Sequence, residues 1–334
     1  MRSCYLGPVS KLVICLLGAL LALNAAAADT NLVAPTNAAS PGTNDPVEEA
    51  YQKILEHDDL AIADVTDMIQ SNTDLTAKGQ GMTPDGLQAY IQKKVGPVRQ
   101  EYVDFLREHP NHVQAHIAYG SFLDDIKDED GAKSEYEIAV KLDPKNPAAW
   151  NNLANSIGHT GPVSNMFLYY GKAIELNPQE PVYYENLATC VYLYRVDGRA
   201  YYHFTNDQQI FDMSLDLYQK AFKLAPNDFA LATEIGQTYY GISPVRTDDA
   251  LNAWTNALKL AKTDLEKQGV YVHLARFKLN AGRFAESHAD IDKVNDPDLA
   301  ELKNRILHNL ALRESEGKPA GPPMRVSCPS GRTS

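Results

Sequence analysis

Residues 142–178 read LDPKNPAAWNNLANSIGHTGPVSNMFLYYGKAIELNP, and this stretch decides the fold. It opens and closes on the same kind of signal, because Pro144 ends K-L-D-P and Pro178 ends E-L-N-P. Pro110 lies upstream of Pro144 by the same interval. Two stretches of helical periodicity, separated by the GHTG turn, lie between one proline and the next. A period of about 34 residues with a terminal proline is typical of repeated helical hairpins.

Small and aromatic residues follow the same rhythm. In each hairpin a small residue of the first helix allows the second helix to approach closely, and an aromatic of the second helix fills the groove between hairpins. The second interval between aromatics exceeds the first by about 14 positions and the third exceeds it by about two, which places an insertion in the third repeat. The small residues are Gly120, Ala154 and Ala188, and the aromatics are Tyr136, Tyr170, Tyr218 and Trp254.

The pattern resembles the tetratricopeptide repeat family, whose signature runs Trp, Leu, Gly, Tyr, Ala, Phe, Ala, Pro. The resemblance covers roughly 110–295 and includes about five repeats, the fifth degenerate. It implies an all-α fold, a right-handed solenoid of antiparallel helix hairpins, and a protein-binding role. The second repeat shows the signature best, as Trp150, Leu153, Ala154, Ile157, Met166, Tyr170, Ala173 and Pro178.

The flanks of the repeats complete the domain organisation. We expect short helices over about 46–56 and 60–70, then a helix from Pro84 that Gly96–Pro97 kinks or splits. Its last half resembles the second half of a repeat. The predicted divisions are a signal peptide 1–28, a disordered spacer 29–45, an N-terminal helical region with a half-repeat 46–109, repeats 110–295 with an insertion at 195–213, a C-terminal capping helix 296–316 and a disordered tail 317–334.

The stretch 1–28 has the features of an export signal. Arg2 and Lys11 supply a positive start, an apolar run to Leu23 follows, and Ala26–Ala28 form a small-residue cleavage site. The run is short for a membrane span. We therefore expect export to the periplasm or beyond with cleavage after Ala28; the alternative is an uncleaved anchor. No membrane span is expected after cleavage.

Composition restricts the partner class. The chain has 43 acidic and 31 basic residues and a formal net charge of -12, which disfavours nucleic-acid binding through a basic surface. Its 18 tyrosines are mostly assigned to packing by the repeat period. No phosphate loop, nucleophile elbow or carboxylate pair stands out, and the repeats leave no length for a catalytic domain. We expect a non-enzymatic protein with no cofactor and no metal.

The candidate binding surface is the groove that the first helices of the repeats line in this family. Asn152 and Asn186 occupy the same repeat position, and amides there can hydrogen-bond the backbone of an extended peptide. The alternative is that they solvate an exposed helix face. The carboxylate clamp of some family members does not fit, because Asn151, Ala230 and Glu234 stand where basic residues are needed. The groove candidates are Asn151, Asn152, Asn155, Asn186, Thr189, Tyr192, Gln237 and Tyr240.

The insertion in the third repeat is the most individual feature. Arg195–Met213 contains Tyr201, Tyr202, His203 and Phe204 in a row, followed by a helix that we expect to begin near Asn206. An aromatic loop at a groove edge can serve as a recognition element. Alternatively, these aromatics cover the hairpin ends as a small satellite core.

Two functional hypotheses follow. The first is an envelope scaffold or adaptor that binds an extended protein or peptide segment in its groove. The second is a structural component of an envelope or secretion-related assembly that uses the insertion and the edges. His112 and His116, one helical turn apart, can place two imidazoles on one helix face, but no third ligand is evident, so no metal site is expected. Cys190 is expected to be a buried small apolar residue. The oligomeric state stays open.

Overall fold

The computed structural model describes residues 45–157 and 161–316, and over these ranges the protein is all-α, with no strand. It divides into two compact units, one up to Pro178 and one from Gln179 onward, which are described separately. The helices are α1 Pro46–Ala77, α2 Pro84–Glu108, α3 Val113–Asp125, α4 Glu129–Leu142, α5 Pro147–Ile157, α6 Val163–Leu176, α7 Pro181–Leu193, α8 Arg195–Tyr201, α9 Asp207–Leu224, α10 Phe229–Thr238, α11 Thr247–Leu260, α12 Asp264–Asn280, α13 Phe284–Ile291 and α14 Ala300–Ser315.

The first unit opens with a hairpin of two long helices. The predicted break between 56 and 60 is wrong, because α1 is continuous over 32 residues. Asp58, which lies between the two predicted helices, is buried and accepts a hydrogen bond from the Tyr102 hydroxyl at 2.8 Å. A contact 44 positions away in the chain thus keeps this stretch helical. Asp45 caps α1 by accepting from the Val47 amide, as its sequence suggested.

Helix α2 also differs from the expectation at its middle. It runs as one helix through Pro97, so the predicted split is wrong, whereas the kink, the other predicted outcome, stays a prediction. Val95 and Val98, on either side of Gly96–Pro97, are both buried, and this packing holds the two halves together although proline removes one backbone donor. Tyr102 and Phe105 are buried as the half-repeat interpretation requires.

Two repeat hairpins, α3–α4 and α5–α6, complete the first unit. In each hairpin the small residue of the first helix and the aromatic of the second are buried. Gly120 faces the Tyr136 ring, where a Cβ would lie 2.5 Å from Cε1, and both Ala154 and Tyr170 are fully buried. Packing therefore explains these tyrosines, as predicted.

The second unit contains three hairpins, α7–α9, α10–α11 and α12–α13, followed by α14. A serine of the second helix donates to a first-helix carbonyl in two of them: Ser214 to Ala188 at 2.9 Å and Ser287 to Ala275 at 2.7 Å. The bonded residues are 26 positions apart in the first pair and 12 in the second. The difference between these separations matches the length of the predicted insertion, which contributes α8.

The predicted signal peptide, nearly all of the spacer, and the tail lie outside the described residues. The capping helix is present as α14, preceded by a short 3-10 turn at Pro297–Leu299. Over 45–157 and 161–316, no helix combines the length and the apolarity that a membrane crossing requires.

Candidate functional site

Helix α5 carries three of the groove candidates, and all three are buried. Asn151, Asn152 and Asn155 are 0%, 1% and 2% exposed. Their polar groups therefore need partners inside the protein, because an unpaired amide in the interior is costly. This burial was not expected from the sequence, where polar residues at these positions suggested an exposed face.

Asn155 is held by the second helix of its own hairpin. The hydroxyl of Tyr170 donates to Asn155 Oδ1 at 2.5 Å. The bond explains why a polar residue tolerates this interior position next to Ala154. The structure thus directs the carbonyl end of Asn155 toward α6.

Asn152 differs from its neighbours. Its Oδ1 accepts from Asn151 Nδ2 at 3.2 Å, but its own Nδ2 is buried and has no hydrogen-bond partner in the structure. A buried donor without an acceptor destabilises a protein by about 1–3 kcal/mol. The donor of Asn152 is therefore the atom of α5 that would gain most from an acceptor brought by a partner.

The second unit repeats the Asn155 arrangement on α7. Asn186 and Thr189 are both buried. The Thr189 hydroxyl lies 2.7 Å from the Tyr218 hydroxyl of α9, and the two share a hydrogen bond. Thr189 follows the small residue Ala188, as Asn155 follows Ala154, so the same repeat position binds the same second-helix tyrosine in both units.

Tyr192 and Tyr240 are half-buried, and each is fixed by a polar contact. The Tyr192 hydroxyl is hydrogen-bonded to the backbone of Gly241. The Tyr240 hydroxyl is 2.8 Å from His273 Nδ1, and the Arg276 guanidinium lies 4.7 Å above its ring. Burial, the main cause, lowers the pKa of His273 to about 3, so this imidazole is neutral and shares one hydrogen bond with the Tyr240 hydroxyl.

Gln237 and Trp254 break the pattern of the two preceding repeats. Gln237 follows Gly236 as Asn155 follows Ala154, and it is half-buried. Trp254 stands where α4, α6 and α9 have tyrosine, and its buried Nε1 has no hydrogen-bond partner. Gln237 and Trp254 therefore do not form the hydrogen bond that the side chains at the same repeat positions form in the two preceding repeats.

Two carboxyl groups meet on the first helices of the second unit. Glu185 of α7 and Glu234 of α10 are hydrogen-bonded to each other. Burial raises the pKa of both, and the negative charges of their neighbours add to the effect. The sequence does not reveal this pair, because the insertion between the two residues interrupts the common period.

The insertion brings its aromatics together. Tyr201 and Tyr202 pack edge to face with ring centroids 4.8 Å apart, and Tyr202 stacks on Phe204 at 5.9 Å. His203 is exposed and adopts a left-handed backbone conformation with φ of 57°. Tyr201 and Val196 remain 37% and 65% exposed, so α8 keeps an apolar surface.

The base of the insertion is fixed by a network that sequence analysis missed. Gln208 donates to the Ser243 carbonyl at 2.6 Å, and Arg246 donates to Gln208 and pairs with Asp212 at 2.6 Å. Asn206 caps α9, so this helix starts where the sequence predicted. The loop before α11 therefore holds the start of α9 in place.

The remaining reactive candidates have structural roles. Cys190 is buried, and burial raises the pKa of its thiol far above the ordinary value, which keeps it protonated. His112 Nδ1 accepts from the Ala115 amide, and both ring nitrogens of His116 lie within hydrogen-bonding distance of oxygen atoms. The ring nitrogens of the two histidines are thus largely committed to bonds within the protein.

Comparison with known families identifies one repeat directly. Residues 113–146, which include α3 and α4, match the tetratricopeptide repeat model. No curated protein matches the sequence.

Several solved structures resemble the chain at low sequence identity. YrrB, described as a TPR protein with an unusual peptide-binding site, is 15% identical with a TM-score of 0.46, and the match covers 64% of this chain and 97% of YrrB. PilW, a type IV pilus biogenesis factor, is 13% identical with a TM-score of 0.48, covering 71% and 97%. A tetratricopeptide repeat protein from Parabacteroides merdae is 14% identical with a TM-score of 0.42, covering 79% and 99%.

Proposed function

We propose that this chain, in which residues 113–146 match the tetratricopeptide repeat model, is a non-enzymatic scaffold that binds an extended protein or peptide segment. The binding surface in this proposal is the groove that the first helices of the hairpins line. Such helices offer side chains at regular spacing, which suits an extended backbone with a regular spacing of its own.

One observation carries the proposal: the unpartnered Nδ2 of Asn152. A backbone carbonyl of a bound segment would supply the acceptor that this donor lacks, and would remove the cost of leaving it unpaired. Because Asn152 is buried, the surrounding side chains must move to admit the segment. Asn155 and Thr189 already bind tyrosine hydroxyls, so we assign them to holding the first helices in position rather than to contact with the partner.

The test selects ligands first and then measures the variant. Random linear peptides displayed on phage are selected on the purified chain, and the affinities of the best binders are measured by fluorescence polarisation. Loss of one hydrogen bond of about 1 kcal/mol predicts that Asn152→Ala weakens binding about fivefold.

Asn252→Ala, at an exposed position of α11, is the matched control and should leave the affinity unchanged. Thermal unfolding of both variants shows whether the fold is intact. Equal affinities of a folded Asn152→Ala variant and the wild type would rule out the groove assignment.

The envelope location is part of the proposal and rests on the stretch 1–28. Fractionation of the native host, followed by amino-terminal sequencing of the purified protein, tests it. Export with cleavage gives a chain that starts at Asp29 in the periplasm or the medium. A chain that starts at Met1 in the cytoplasm contradicts the location and leaves the binding proposal standing.

A second candidate function is favoured by the insertion. Helix α8 exposes Val196 and Tyr201, while the Gln208–Arg246 network fixes the base. A rigidly held apolar surface suits attachment to a larger assembly. Deleting Arg195–Phe204 discriminates between the two functions: loss of a native complex with unchanged peptide affinity supports assembly, and an intact complex supports the groove.

A further inference from the structure

His116 lies between two oxygen atoms at the junction of the N-terminal hairpin and the first repeat. Its Nδ1 is 2.6 Å from Glu135 Oε2 on α4, and its Nε2 is 2.9 Å from the carbonyl oxygen of Pro110. The imidazole is on α3, so it connects three segments of the chain. The side chains of His116 and Glu135 are 7% and 18% exposed, which leaves water little room to replace either bond.

The chemistry of the ring decides its protonation state. A neutral imidazole has one N–H donor and one acceptor nitrogen, whereas the imidazolium has two donors. A carboxylate oxygen and a backbone carbonyl are both acceptors. Both short contacts of His116 are therefore hydrogen bonds only when the ring carries two protons.

The charges around the ring favour that state. Burial alone lowers the pKa of His116, but the bonds to Glu135 and to the Pro110 carbonyl, together with the Glu135 charge, outweigh it, and the pKa is raised. At the start of the same helix, the capping residue His112 lies with its Nε2 3.8 Å from Glu48 Oε2 on α1. On α2, Arg99 is paired with Asp128 at 2.7 Å. Helix α5 carries no titratable residue.

The turn that His116 binds also carries contacts of the N-terminal hairpin. His112 lies against the rings of Tyr51 and Phe105, with centroids 4.8 and 5.2 Å away. The Tyr51 hydroxyl donates to the Gln114 carbonyl at 3.1 Å. Holding the turn at Pro110 therefore helps to hold α1 and α2 against the first repeat.

We propose that His116 is a protonation-dependent clasp, which fastens the Pro110 turn to α3 and α4 when the ring is doubly protonated and releases one of its two bonds when it loses a proton. The N-terminal hairpin is then less firmly held on the first repeat at alkaline pH than at acidic pH. This device is separate from peptide binding and does not rest on it.

The direction of the effect follows from linkage. The folded-state pKa of His116 lies above the unfolded value of about 6.5. The stability that the clasp contributes is therefore fully present below about pH 6.5 and is lost as the pH rises through the folded-state pKa. Each pKa unit by which the folded-state value of His116 exceeds the unfolded value changes the equilibrium constant for opening of the clasp about tenfold.

The experiment follows the ring and the backbone in the full chain. NMR of the histidine Cε1–Hε1 signals is recorded as a function of pH, and the signal missing in His116→Gln assigns His116. Amide hydrogen exchange of 109–125, corrected for intrinsic rates, is measured from about pH 6 to about pH 8.5. We expect the titration midpoint of His116 to lie above about pH 6.5, and the protection of these amides from exchange to fall several-fold over this pH range.

Three variants make the result specific. His116→Gln keeps a donor without a titration, so above about pH 7, where Asp124 is already ionised, its exchange should no longer vary with pH. Glu135→Gln keeps an acceptor but removes the charge, so the His116 midpoint should fall below that of the wild type. His57→Gln is the matched control, because His57 is an exposed residue 2.8 Å from Glu101, and it should change neither readout. A wild-type midpoint at or below about 6.5, or protection that does not depend on pH, would overturn the proposal.

Discussion

The ring of Tyr136 lies against the backbone of Gly120, so closely that a Cβ on the glycine would come within 2.5 Å of Cε1 and 2.8 Å of Cδ1. Trp254 approaches Gly236 in the same way, with Cε2 2.6 Å from the position of a Cβ. The small residue and the aromatic that mark the repeat in the sequence are thus two sides of one contact. Its geometry sets how closely the two helices of a hairpin approach.

Gly120→Ala should destabilise the protein. The added methyl group meets a fully packed ring, and overpacking of this kind costs about 1–3 kcal/mol, which exceeds the gain in helix propensity of up to about 1 kcal/mol. Urea unfolding measures the difference. Gly171→Ala is the matched control, because nothing lies within 4 Å of its Cβ position on α6, and this variant should be as stable as the wild type or more so. Equal stability of the two variants would contradict the role given to the contact.

The repeat period made the fold predictable because it reports local packing. Each small residue and its aromatic lie in the same hairpin, so their spacing is visible in the sequence. The continuity of α1 was not predictable in this way. His57–Asp59 resembles a polar break, and the long-range bond from Tyr102 helps to make a buried Asp58 compatible with a helix.

The candidate site was predictable in position but not in environment. The period placed Asn155 and Thr189 on the first helices, but it did not show that tyrosine hydroxyls would bind them. The sequence does contain a signal for these bonds. Where the packing aromatic of the second helix is tyrosine rather than phenylalanine, the residue directly after the small residue of the first helix is polar. The Glu185–Glu234 pair has no such signal, because the insertion between the two residues changes their spacing from the repeat period.

The bond between Thr189 and Tyr218 should contribute measurably to stability. Thr189→Val removes this partner from the buried Tyr218 hydroxyl, which keeps its hydrogen bond to Thr238, so we expect a loss of about 1 kcal/mol. In a Tyr218→Phe background the same replacement should cost clearly less, since both polar groups are then removed. A double-mutant cycle by urea unfolding measures the coupling. Additive effects would show that the two hydroxyls do not interact.

The carboxyl group of Asp124 should make stability depend on pH. Burial raises its pKa to about 6, although the Tyr136 hydroxyl donates to it and opposes the shift. Because the folded state keeps this proton to higher pH than the unfolded state, stability should fall as the pH rises from about 4 to about 6.

Asp124→Asn removes this titration and retains an acceptor for Tyr136. It should be more stable than the wild type by about 2 kcal/mol at about pH 7, and equal to it near about pH 3.5. Asp130→Asn, at an exposed position of α4, should not reproduce the gain. The free energy of unfolding in urea at the two pH values provides the measurement. A variant less stable than the wild type at neutral pH would contradict the expected cost of the buried charge.

The backbone of Gly241 should be required for the position of Tyr192. A Cβ on this glycine would overlap the Tyr192 hydroxyl and lie 2.8 Å from Cζ, so Gly241→Ala must displace the ring or the Tyr239–Gly241 turn. We expect a loss of about 1–3 kcal/mol, which is typical of overpacking. Tyr192→Phe removes the atom that a new methyl group would meet first, and it gives up one hydrogen bond of about 1 kcal/mol. The double variant should therefore be more stable than the sum of the single effects predicts, as measured by thermal unfolding. Strict additivity would mean that Tyr192 is not positioned through Gly241, and would leave Tyr192 free to adjust to a bound segment.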